Sequence, residues 1–68
     1  MNIALKIRKV RESKGYSQEY MALKLGINQS SYCKLENNQR KISIDKIIRI
    51  AELLNIELLK LIDSRKIA

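Results

Sequence analysis

Apolar residues recur along this chain at intervals of three and four: Ile3, Ile7 and Val10, then Met21, Ala22 and Leu25, then Tyr32 and Leu35, and later Ile44, Ile47, Ile50, Ala51 and Leu54. That spacing gathers each set on one face of an α-helix. The residues between the sets punctuate them. Gly15 supplies a position that tolerates positive φ and ends a first helix over residues 3–13. Ser17 is an N-cap, with Glu19 favourable in the first turn of a second helix over 18–25. Gly26 lets the chain reverse, Ile27 plugs the gap, and Asn28 caps a third helix over 29–36. A polar, basic loop follows from Asn37 to Lys41, and Ser43 caps the fourth helix. Ile56 is a second plug, after which Leu58, Leu61 and Ile62 keep helical spacing, although Glu57 is a poor cap. No run alternates with the period of two that a half-buried strand needs, and no repeat has solenoid spacing. The pattern predicts an all-α fold of five helices.

At 68 residues the chain has room for one domain with one small core, spanning 1–68, and none for a catalytic domain beside it. Fourteen Lys and Arg against seven Asp and Glu give a formal charge of +7, and Lys6, Arg8, Lys9, Arg11 and Lys14 crowd the start. Such a balance favours a polyanionic partner, because each cation placed at a phosphate releases condensed counterions. Charge alone favours nucleic acid and also admits a membrane surface, an acidic protein or no charge-dependent partner. The single cysteine, Cys33, cannot form an internal disulfide, and without histidine there is neither an imidazole base nor a zinc set. No metal, cofactor or enzymatic activity is expected. Charges enter the first residues too early for a signal-peptide core, and no window approaches 18 apolar residues, so the expected location is cytoplasmic, with no membrane.

The third predicted helix carries the most informative chemistry. With Tyr32 and Leu35 turned inward, Gln29, Ser30, Cys33 and Lys34 lie nearer the outside. Gln29 can donate and accept at once, which is the pattern adenine shows in the major groove. Lys34 suits guanine O6 and N7 or a phosphate, and Ser30 suits a base, a phosphate or the helix start. Tyr16 is expected to pack by its ring before helix two, and Tyr20 to cover a gap between helices or approach a backbone with its hydroxyl.

The run GYSQEYMALKLGINQSSYCKLENN resembles the helix-turn-helix of Cro/C1-type, or XRE-type, bacterial and phage regulators. Gly15, Ser17, Gln18, Glu19, Met21, Ala22, Leu25, Gly26, Ile27, Gln29, Ser30, Leu35, Glu36 and Asn37 match its pattern, and the likeness continues through Ile44, Ile47, Ala51, Leu54 and Ile56. The resemblance implies a compact, five-helix, lambda-repressor-like DNA-binding domain, with the helix-turn-helix at 17–37. It implies that Gln18 reaches a phosphate and braces Gln29. By the same likeness Asn28, Gln29, Ser30 and Lys34 face the bases, while Asn37, Arg40 and Lys41 hold the backbone. Arg11 and Glu36 resemble a partly buried ion pair that ties the first helix to the end of the third. Two positions depart from the pattern: Asn38 stands where Gly is usual, and Glu57 where Ser or Thr is.

Ile48, Leu53 and Leu59 are left over once one small core is filled. With Leu58 and Ile62 they suggest a dimer surface within residues 44–62. The function expected is a sequence-specific double-stranded DNA-binding transcriptional regulator, a homodimeric repressor or autoregulator on a palindromic operator. A controller of a restriction-modification operon and a toxin-binding antitoxin are alternatives within that class. A protein-interaction module that has lost DNA binding is the alternative outside it.

Overall fold

The computed structural model describes residues 3–62, with only the backbone for Ile62. Five helices follow in order: α1 Ile3–Ser13, α2 Gln18–Leu25, α3 Gln29–Glu36, α4 Ile44–Leu54 and α5 Leu58–Ile62. Each predicted cap acts as one. Ser17 Oγ accepts from the Tyr20 amide at 2.9 Å, Asn28 Oδ1 from the Ser31 amide at 2.7 Å, and Ser43 Oγ from the Lys46 amide at 3.2 Å. Each bond satisfies an amide that has no partner inside its own helix, and replacing such a cap by alanine typically costs about 1 kcal/mol. Between α2 and α3 the chain reverses at Gly26, whose φ of 73° lies in the left-handed region. Asn38 and Asn55 take the same region at 61° and 54°. Asparagine tolerates that conformation better than most residues, so the turn after α3 forms without the usual glycine.

The core is built where the inward faces of all five helices meet. Ile7 of α1, Met21 of α2, Tyr32 of α3, Ile50 and Leu54 of α4, and Leu61 of α5 are fully enclosed. Burying each large apolar side chain stabilises the fold by about 1.5–3 kcal/mol. The inward line of α1 runs through Ala4, Ile7 and Arg11, leaving Ile3 and Val10 at its border. Leu61 anchors α5 despite the unfavourable Glu57, whose carbonyl accepts the Lys60 and Leu61 amides.

Three expectations about apolar positions need correction. Ile44, assigned to the inward face of α4, is 59% exposed. It occupies the first residue of that helix, and Ile42, in the preceding loop, packs against the core in its place. Leu53, set aside as surplus, also packs partly against the core, as does Leu58, expected at the dimer surface. Burial of a border position depends on which neighbouring element reaches it, and helical spacing is silent on that. Ile48 and Leu59 do stand out in solvent, Leu59 at 73% exposure. The side chain of Ile62 lies outside the described residues.

Candidate nucleic-acid interface

α3 has two chemically distinct sides. Tyr32, Leu35 and Glu36 are buried, while Gln29, Ser30 and Lys34 are exposed and Ser31 and Cys33 are half-buried. Gln29, Ser30 and Lys34 form no side-chain hydrogen bond or ion pair among the described residues, so their donors and acceptors remain available. Asn28 is divided between two tasks: its Oδ1 caps the helix, which leaves Nδ2 as the group able to meet a base. Beyond the helix, Asn37, Arg40 and Lys41 are exposed on one loop, and Arg40 and Lys41 pair with no carboxylate among the described residues. Asn37 Nδ2 lies 3.5 Å from Cys33 Sγ, a weak contact that links the last turn of α3 to the loop.

What holds this surface in place is buried beneath it. Arg11 Nε donates to Glu36 Oε2 at 2.6 Å and Arg11 Nη2 to Glu36 Oε1 at 3.1 Å, a two-pronged contact. The remaining arm of Arg11 donates to the Tyr16 carbonyl at 2.6 Å. Gln18 Nε2 adds a bond to Glu36 Oε1 at 3.1 Å. One carboxylate thus fastens α1, the start of α2 and the end of α3 to each other, with directional bonds that apolar contacts lack. The expected brace between Gln18 and Gln29 is not made: Gln18 turns instead to the buried carboxylate, the stronger acceptor. Its second amide hydrogen is still free for a phosphate.

Burial by itself pushes the Glu36 carboxyl up, but Arg11, the Tyr32 hydroxyl and Gln18 outweigh it and hold the group below its ordinary value. The hydrogen bond to Glu36 raises the pKa of Arg11 in turn, against the effect of burial. The Tyr32 hydroxyl is buried beside the pair without a partner in hydrogen-bonding geometry. Burial, and then the nearby carboxylate, hold this phenol far above its ordinary range. A carboxyl depressed in the folded state contributes stability that is complete above the ordinary carboxylate range. That contribution is lost as pH falls through the range toward the native value. Urea titrations between pH 7 and pH 3 should therefore show an acid limb of up to about 1.4 kcal/mol per pH unit. Glu36→Gln should flatten that limb, and an unchanged limb would remove Glu36 as its source.

Tyr16, before α2, and Tyr20, within it, are half-buried with ring centroids 4.7 Å apart and planes tilted by 41°, and Lys24 Nζ lies 5.6 Å from the Tyr20 ring. Both rings pack partly against the core. Among the described residues no helix is long and apolar enough to cross a membrane, and no cluster of potential metal ligands forms.

The helix-turn-helix family profile matches residues 7–61. The chain is 36% identical over 61 residues to a protein of Pyrococcus furiosus named as an HTH-type transcriptional regulatory protein, a match covering 90% of this chain. It spans only 19% of that relative's length. The crystal structure of the restriction-modification controller protein C.AhdI from Aeromonas hydrophila superposes with a TM-score of 0.81 at 33% identity. That likeness covers 88% of this chain and 91% of the controller.

Proposed function

The chain belongs to the helix-turn-helix family of Cro/C1-type regulators, and we propose that it reads a specific DNA sequence with the first turns of α3 while working as a homodimer. It is a DNA-binding regulatory protein, and its activity is therefore binding rather than catalysis. In this reading α3 lies in the major groove with Gln29, Ser30, Lys34 and the free amide of Asn28 toward base edges. Gln18, Asn37, Arg40 and Lys41 hold phosphates on either side. The observation that carries it is the exposed, unpaired polar face of α3, set on a helix whose opposite side is locked by the buried Arg11–Glu36 contact. Flexible side chains lose less entropy on binding when the helix beneath them is already fixed.

One recognition helix spans too few base pairs for strong discrimination, so a two-fold pair on a palindrome with half-sites about 34–36 Å apart is the economical arrangement. Ile48 and Leu59 supply exposed apolar surface beside a groove of about 440 Å³ between α4 and the start of α5. Within residues 44–62, that groove, lined in part by Ile48 and Leu58, is the surface for the second copy. Among the biological settings, likeness to a controller of nearly the same length favours control of a restriction-modification operon over a phage repressor or an antitoxin. A restriction endonuclease or methyltransferase gene beside this one supports that setting, and a toxin gene in that place opposes it.

Sedimentation equilibrium at micromolar protein tests the dimer. Wild type is expected to sediment at twice the chain mass, and Ile48→Asp with Leu59→Asp as monomer with its helical signal intact. A wild-type monomer, both free and on a duplex carrying two half-sites, refutes the pairing.

A further inference from the structure

The carbonyls at the end of α2 are satisfied in different ways. The Gly26 amide donates to the Ala22 and Leu23 oxygens and the Ile27 amide to the Ala22 oxygen, so the reversing turn uses those two. The Lys24 oxygen, next in the chain, accepts no backbone amide of the turn among the described residues. Arg49, in the middle of α4 and 25 residues further on, donates to it from Nη2 at 3.2 Å. A cation suits a helix C-terminus, where aligned peptide dipoles leave partial negative charge. Nearer partners are passed over for this bond. Asp45 precedes Arg49 by four residues and Glu52 follows it by three, both at spacings that allow an ion pair along α4, yet Arg49 pairs with neither among the described residues.

The bond joins two parts of the molecule with different tasks. Lys24 lies just before Gly26, where the chain turns into α3. Ile48, next to Arg49 in sequence, lines the groove proposed for the second copy, with Glu52 and Asn55 further along the same helix. Residues of α2 and α4 also share the apolar core, but such packing is non-directional and resists small rolls of one helix on the other only weakly. A hydrogen bond from a planar guanidinium ties the end of α2 to one place on α4.

We propose that Arg49 is a positioning residue, a strut that fixes α2 and α3 relative to the pairing surface on α4 and so sets the half-site spacing that the dimer accepts. The inference rests on the homodimer reading above. Base contacts from α3 choose each half-site, whereas the angle between α3 and α4 decides how far apart, and how rotated, two recognition helices lie across a two-fold axis. One added base pair moves a half-site by about 3.4 Å and turns it by about 35°. Recognition helices held rigidly to their interface cannot follow both changes, and ones able to roll follow them in part. A second half-site adds affinity only when both helices engage together.

The test compares duplexes that carry the selected half-sites at the selected spacing, the same duplexes with one base pair added or removed between them, and a duplex with a single half-site. Wild type is expected to bind the selected spacing about a hundredfold more tightly than the altered ones. Arg49→Met keeps the apolar stem and loses the donor. It should narrow that ratio by about three- to tenfold, the range one hydrogen bond contributes. Its base preferences on the single half-site, its helical signal and its dimer mass should match wild type. Arg49→Lys, which restores a cationic donor, should recover part of the spacing preference, and no recovery counts against the strut. A loss of stability alone weakens every duplex by one factor and leaves the ratio where it was. An unchanged ratio in Arg49→Met overturns the strut and leaves the base-reading dimer standing. Equal weakening on every duplex with a lower salt dependence does the same, since that is the mark of a phosphate contact. If Arg49→Met sediments as a monomer, the residue belongs to the pairing surface and the strut again fails. If wild type is itself indifferent to spacing while keeping its base preferences, the reading of paired half-sites fails and the inference with it.

Discussion

Glu36→Ala is expected to destabilise the fold by about 3–5 kcal/mol, because it leaves the Arg11 guanidinium buried without its counter-charge. Total stability for a chain of this length is about 3–10 kcal/mol, so much of the population should be unfolded at 25 °C. Removing both charges together is expected to cost less than removing one: Arg11→Met with Glu36→Leu strands no ion and fills similar space. The partner bonds sharpen the expectation, since Glu36 also accepts from Gln18 and Arg11 also donates to the Tyr16 carbonyl. In the double variant those two groups lose their partners, and part of the cost returns. Urea unfolding of wild type, Arg11→Met, Glu36→Leu and the double variant in a double-mutant cycle measures the coupling. Additive losses from the two single variants would mean that the pair is no more than two independent surface charges, against its burial.

The second large effect is on discrimination. Gln29→Ala removes a side chain able to pair with adenine through two hydrogen bonds, worth about 1–3 kcal/mol of preference at that base pair in each half-site. Counted over both half-sites of a palindrome, the preferred site should lose a larger share of its advantage than any phosphate-contact variant removes. Affinity for unrelated duplexes should hardly change. Arg40→Gln is the contrasting variant, weakening all duplexes alike and lowering the salt dependence. Competitive titrations against the selected duplex, and against duplexes altered at single base pairs, separate the two patterns. A Gln29→Ala protein with its base preferences intact would place the readout elsewhere on α3.

Much of this architecture is legible in the sequence because local and global signals agree. The bounds of α2 and α3 follow from Ser17, Gly26 and Asn28 together with the inward Met21, Ala22, Leu25, Tyr32 and Leu35, and the structure has the same bounds. Caps and helical spacing act within a turn or two, so they are written locally. What was not legible depends on contacts far apart in the chain. Ile44 has the right spacing for the core, yet its neighbours leave it in solvent, while Ile42, outside the helical pattern, is partly covered. Leu53 seems surplus only if burial is counted helix by helix. The turn of Gln18 toward Glu36, 18 residues away, is likewise invisible to periodicity, and so is the reach of Arg49 to the Lys24 carbonyl. The family pattern did supply the long-range Arg11–Glu36 contact, which spacing alone would have missed.

The buried contact and the exposed face belong to one mechanism. Cro/C1-type regulators bind DNA through a helix that must reach base edges as a rigid unit, and here the underside of that helix is bonded to α1 and α2 before DNA arrives. Mutations at Arg11 or Glu36 should therefore reduce DNA binding through loss of the folded helix, whereas those at Gln29 should act on a fully folded protein. Circular dichroism alongside each titration distinguishes the two.

The most direct measurement is the affinity of wild type for its selected duplex against the same duplex with both half-sites scrambled, at one fixed salt concentration. The account predicts a preference of at least about a thousandfold for the intact site. Equal affinity for the two duplexes would contradict it, leaving the charge of the chain, rather than the face of α3, as the whole basis of binding.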